Sequence, residues 1–366
     1  MSETESKSKE YNRKKFEFSI YSLFFTVILY MTIYFAGISR AISIFSFAVS
    51  TNYFLALTLY LFIFSLLEAI ISFPLSFYGS YMLEHKYGQS NETKGAFLLD
   101  DIKGFFVKLI LYTILFNIIY GLILISPENW WFYATIVSIG LVVILTKLVP
   151  VLLIPLFYKL EPITDEELLS RLRALCMKSN IKLIGIFSIN LSKKTKAGNA
   201  GFAGIGSTKR IMISDNILAS YTYDEIETII AHEIGHYIHK DLIKGIFLQA
   251  ILFLFSFFII HLTMTKLVSL IGLQGLSDFS GFPIFLIISL IISLIVLPII
   301  NTITRQLEYA ADKTAFELAD HKGAFISALT KLTEQNLGEF EPNPIKEFIF
   351  YNHPSTKKRV ERIRNY

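Results

Sequence analysis

FPIFLIISLIISLIVLPIINTI, residues 282–303, decides the fold. It holds no charged side chain, and it is as long as one bilayer crossing, which takes roughly 20 mostly apolar residues. Working outward, five more stretches pass the same test, at about 18–38, 53–83, 105–126, 130–157 and 246–266. The first of these is no cleaved signal peptide: its apolar run is long, no small-residue cleavage site follows, and further spans come after it. Composition agrees, with 53% hydrophobic and 17% charged residues, where soluble domains average about 25% charged.

Lys and Arg set the orientation. The N-terminal tail carries Lys7, Lys9, Arg13, Lys14 and Lys15, and the loop after the second span carries Lys86, Lys94 and Lys103. The segment after the fourth span and the C-terminal tail are also basic, while the opposite loops hold little beyond Arg40, with Lys266 at a span edge. A cytoplasmic N-terminus with six crossings puts every basic segment in the cytoplasm. This bias accounts for the net charge of +4, so nothing points to nucleic acid. The single cysteine, Cys176, excludes an internal disulfide and any multi-cysteine metal site.

Residues 1–15 are polar and are expected to be disordered. Residues 16–157 hold spans one to four, 158–245 a catalytic domain, 246–303 spans five and six, and 304–366 a C-terminal catalytic segment. Glu68 lies mid-span, whereas Lys108 is near a span end and is expected to snorkel. In the soluble part, Thr164 and Glu167 read as a capping box. Leu183–Asn190 and Arg210–Ser214 read as strands. The Gly-rich stretch 198–206 between them reads as a tight return or a close backbone approach. Thr222 and Glu225 form a second capping box, opening a helix that runs to about His239. Beyond the sixth span, the helical pattern continues past Glu308 to Leu318.

That capped helix carries His232-Glu233-Ile234-Gly235-His236, the metalloprotease zinc signature. Residues four apart on a helix lie one above the other, so both imidazoles reach one ion. Glu233 sits where it can take a proton from activated water. A catalytic zinc needs a third protein ligand, for which there are three candidates. His239 lies roughly 10.5 Å beyond His232 along the axis, too far for one tetrahedral ion to accept all three nitrogens. Asp241 is further still. Glu308 is the better candidate, and Asp312, one turn on, is placed to orient a ligand histidine. The expectation is a mainly α polytopic membrane protein with about six transmembrane helices and a small α+β zincin-like catalytic domain, holding one Zn²⁺ per chain.

From about residue 55 to the C-terminus the chain resembles the type I CAAX prenyl proteases in their prokaryotic form, with HtpX-like proteases more distant. The resemblance rests on Leu83-Glu84-His85-Lys86-Tyr87-Gly88 after a span and on Pro155-Leu156-Phe157-Tyr158-Lys159 at the entry to the catalytic domain. It rests further on Asn199-Ala200 followed by Gly204, and on His353-Pro354 with Arg359. It implies that Asn199, Ala200 and Gly204 line the substrate cleft, with backbone there pairing to an extended peptide. It also implies that His353 and Arg359 steady the oxyanion or grip the substrate's terminal carboxylate. The residues alone also allow Asn199 to be a turn residue and Arg359 to belong to a solvated basic helix. The chain departs from eukaryotic members in having six spans rather than seven. Asp241 stands where many of them have a histidine, as in HtpX-like proteins.

The expected function is a membrane-embedded zinc metalloendopeptidase cutting membrane-associated or C-terminally prenylated polypeptides, in contact with the lipid bilayer. Its multi-pass chain would place the catalytic site on the cytoplasmic face, of the cell membrane in a prokaryote or of the endoplasmic reticulum in a eukaryote. The alternatives are an HtpX-like quality-control protease and a transporter with a metal-sensing cluster. Transport favours charges near mid-membrane, and the histidine motif lies outside the spans.

Overall fold

The computed structural model describes residues 3–181, 185–204 and 209–366. Among them, six helices are long and apolar enough to cross a bilayer: Glu5–Phe35, Tyr53–Lys86, Lys94–Ile125, Trp130–Phe157, Asp241–Leu270 and Phe279–Ala319. A shorter apolar helix, Ile38–Val49, follows the first. Its 12 residues reach about 18 Å, short of the roughly 30 Å hydrocarbon core. It packs instead against the bundle, where the Ser39 hydroxyl lies 2.7 Å from that of Tyr60 and 2.6 Å from the Ser280 carbonyl.

Tyr60, Phe64, Trp130, Phe279 and Phe282 form the buried centre of the bundle, where Tyr60 meets Phe279 tilted and Phe64 meets Phe282 edge-on. Phe24, Ile28, Ile70, Ile110 and Ile295 point outward, as lipid-facing side chains should. Lys108, expected to snorkel, has a close carboxylate partner. Its ammonium pairs with Glu68 at 3.0 Å, and the other Glu68 oxygen accepts from the Tyr30 hydroxyl at 2.8 Å. A charge within a span needs a partner, and Glu68 supplies one.

The soluble part contains a four-stranded sheet, β1 (Leu160–Pro162), β2 (Gly185–Ile189), β3 (Ala200–Ala203) and β4 (Arg210–Ser214), in the order β1-β2-β4-β3. β2 and β4 are parallel, and the outer pairs are antiparallel. β3 is therefore an edge strand inside the stretch read as a return; residues 205–208 lie outside the described residues. Helix Glu166–Lys178 lays Leu168, Leu172 and Leu175 against Ile211, Ile213, Ile230 and Ile234. Asp165 caps it, accepting from the Leu168 amide at 3.0 Å, so the Thr164–Glu167 box does not form. A carboxylate is the stronger acceptor at that position. The Thr222–Glu225 box does form, opening helix Tyr223–Ile238.

Residues 3–15 correct the expectation of a disordered tail: the first helix begins at Glu3. Asn12 donates to the Leu337 carbonyl at 2.6 Å, and Tyr11 is buried with Leu83, Tyr87 and Leu337. The charges that suggested disorder pair along the helix, as in Lys9–Glu5 and Lys14–Glu17.

Candidate active site

Two helices make the site. The first, Tyr223–Ile238, carries the histidines, and the second, Phe282–Ala319, is the sixth span. Its 38 residues extend about 57 Å, nearly twice the hydrocarbon thickness, so its last turns emerge beside the soluble domain. Glu308 and Asp312 lie on those turns and are buried. Gly235 permits the crossing: a Cβ there would stand 2.9 Å from both the Cα and the carbonyl oxygen of Ala311.

At the crossing, the Nε2 atoms of His232 and His236 lie 3.1 Å apart. The Glu308 carboxylate completes the triangle, 3.4 Å from His232 Nε2 and 3.3 Å from His236 Nε2. Ligands on a tetrahedral zinc with bonds of about 2.0–2.2 Å stand about 3.3–3.6 Å apart. Glu308 Oε2 is buried without a hydrogen-bond partner among the described residues, an orphan acceptor of the kind a cation satisfies. The donor set fits zinc.

Each imidazole is held from behind. His232 Nδ1 meets Asp312 at 2.9 Å, and His236 Nδ1 meets Asp241 at 2.9 Å. Burial pulls His232 toward neutrality, but the neighbouring carboxylates of Asp312 and Glu308 outweigh it and raise its pKa to about 9. His236 is raised as well, burial again losing to Glu308 and Asp241. Burial opposes ionisation of Glu308, yet the two histidines hold it well below the usual carboxylate range. Metal-free, the cluster shares protons that a zinc ion would displace.

Around this centre lies a cleft of about 330 Å³, lined by Asn199, Ala200, Glu233, His353, Arg359 and Asn336 among others. Glu233 is half-buried, and Asn199 is exposed. His353 Nε2 is 3.3 Å from Glu308 Oε1. Arg359 is committed elsewhere: its Nε and Nη2 hold the two Asp312 oxygens at 2.8 and 2.5 Å. Only Nη1 turns toward Glu308, at 3.9 Å. Through Asp312, Arg359 is thus linked to His232 while still lining the cleft. Gly204 is not among the lining residues; its φ of +91°, one residue past β3, is a backbone that favours glycine. His239 turns away to bond Thr314 at 2.9 Å.

Sequence reasoning missed Asp241 as the partner of His236. A lysine in left-handed backbone, Lys240 at φ +56°, reverses the chain so that Asp241 reaches back, and helix geometry alone gives no sign of it.

The sequence model of peptidase family M48 matches residues 162–366. That of the CAAX prenyl protease N-terminal region, five membrane helices, matches residues 1–159. An uncharacterized metalloprotease of Bacillus subtilis, YhfN, is 27% identical over 337 residues, covering 91% of this chain and 79% of its own. CAAX prenyl protease 1 of Saccharomyces cerevisiae is 28% identical over 397 residues, covering 99% and 86%. The crystal structure of S. mikatae Ste24p superposes with a TM-score of 0.88 at 23% identity, over 99% of this chain and 90% of that one.

Proposed function

We propose, since the chain belongs to peptidase family M48 and is a multi-pass membrane zinc metalloprotease, that it cuts membrane-associated or C-terminally prenylated polypeptides at the cytoplasmic surface, with Glu233 as general base. The observation that carries the reading is the triangle of two imidazole nitrogens and one carboxylate at 3.1–3.4 Å. Zinc, when bound there, supplies Lewis-acid activation of a water and of the scissile carbonyl.

The chain's own residues do the rest. Asp312 and Asp241 fix the tautomer of their histidines, so that each Nε2 faces the metal. Glu233 takes a proton from the attacking water and passes it to the departing amine. His353, at the cleft beside Glu308, is placed to donate to the developing oxyanion. The outer edge of β3, unpaired by any strand among the described residues, offers backbone to an extended peptide. Prenylated substrates are suggested by the names of the CAAX prenyl protease relatives, and cytoplasmic orientation by the basic segments. An HtpX-like quality-control role would use the same chemistry on unprenylated chains, so matched prenylated and plain peptides separate the two.

The test is Glu233→Gln. It should keep zinc and lose about 10²–10⁴-fold in hydrolysis of a quenched peptide, the usual cost of removing a general base. Empty sites in that variant would make Glu233 a ligand instead.

A further inference from the structure

Asn199 shows which way the docking strand faces. The Ser214 amide donates to the Asn199 carbonyl at 2.8 Å, and the Asn199 amide donates to the Ser214 hydroxyl at 3.0 Å. Its backbone therefore faces β4, and in the antiparallel register of β3 on β4, Gly201 and Ala203 face the same way. The backbone groups of Gly198, Ala200 and Phe202 point to the open edge.

Those of Gly198 are already taken. Asn336 Oδ1 accepts from the Gly198 amide at 2.9 Å, and Asn336 Nδ2 donates to the Gly198 carbonyl at 3.2 Å. The side-chain amide copies a peptide group, standing where the next residue of a paired strand would bond. Asn336 is itself exposed and lines the cleft, so it meets whatever docks there.

We infer that Asn336 is an end stop on the docking edge: it limits how far a bound peptide can pair along β3, and so selects substrates by length on one side of the cut bond. This rests on the reading that β3 docks the substrate. The stop is braced from three directions. Gln89, in the loop after the second span, donates to the Gln335 carbonyl at 3.1 Å, and Gln335 donates to the Lys196 carbonyl at 3.0 Å. Leu337, the next residue, is buried with φ of +48°, a backbone that leucine seldom adopts. Asn12, from the first helix, holds the Leu337 carbonyl at 2.6 Å.

The experiment uses the full-length, zinc-loaded protein in detergent and quenched peptides lengthened one residue at a time at either end. Mass spectrometry verifies that every peptide is cut at the same bond. In the wild type, kcat/KM should rise with length and then level off. Asn336→Ala frees the Gly198 amide and carbonyl, so at one end the plateau should move out by about two residues, the spacing of outward-facing positions. The longer peptides should gain about tenfold, mainly through KM, as expected for one new pair of backbone hydrogen bonds. Asn336→Asp still covers the Gly198 amide and should keep the wild-type plateau. A merely structural role would lower kcat on every peptide and leave the plateau in place, which would overturn the stop. A wild-type ladder flat at both ends would instead remove the docking reading, and the stop with it.

Discussion

His232 and His236 sit one helical turn apart and are held by the same device built in two ways. Behind His232 stand Asp312 and Arg359, from the sixth span and the C-terminal helix Thr356–Arg364. Asp312 is buried at 2% exposure and Arg359 nearly so at 11%. Behind His236 stand Asp241 and Lys244, a few residues further along the same stretch of chain. Asp241 is buried at 8%, but Lys244 is 52% exposed. One side is assembled by tertiary structure in a dry setting; the other is local and wet. A charge-assisted bond is stronger where water does not compete, so His232 should be the rigid anchor and His236 the ligand able to yield.

Gly235→Ala should break both sides together. The new methyl would meet the Ala311 backbone at 2.9 Å, forcing the helices apart and carrying Glu308 out of the triangle. Zinc content should fall to near background and hydrolysis with it, while the helical circular dichroism signal persists; retained zinc would show that the crossing tolerates the wedge.

Asp312→Asn and Asp241→Asn separate the two sides. Loss of such a supporting carboxylate typically costs about 10–100-fold in metal affinity or activity. We expect Asp312→Asn near the upper end and Asp241→Asn near the lower, read by competition with a zinc chelator. Lys244→Ala should change affinity by no more than about twofold, because exposed ion pairs contribute little. Equal losses for the two aspartates would erase the contrast.

The contrast also reaches pH dependence. In the metal-free protein His232 is raised to about 9, above the unfolded value near 6.5. The stability this contributes is present in full below about pH 6.5 and is lost as pH rises through about 9. Thermal unfolding of the metal-free protein should therefore fall over that window, and Asp312→Asn should flatten the slope. A slope of opposite sign would contradict the assignment of Asp312 as the partner.

How much of this was legible follows the same division between local and remote. The spans, the Thr222–Glu225 cap and the histidine pair are periodic or short-range, and the sequence states them outright. Strand β4 carries the β-prone apolar run Ile211-Met212-Ile213, whereas β3 is Ala-Gly-Phe-Ala and owes its extension to pairing with β4 rather than to its own residues. Residues 3–15 look solvated because their partners, Leu337 and Gly338, lie more than 300 positions away. Asp312 was legible from its spacing to Glu308. Arg359 was found, but its role depends on which carboxylate it meets, and spacing does not carry that.

Zinc stoichiometry by elemental analysis of Glu308→Ala beside His239→Ala tests the account most directly. His239 is bonded to Thr314 and should leave about one zinc per chain with near wild-type activity when removed. Loss of the Glu308 carboxylate should strip most of the metal. Full zinc in Glu308→Ala together with an empty site in His239→Ala would contradict the account.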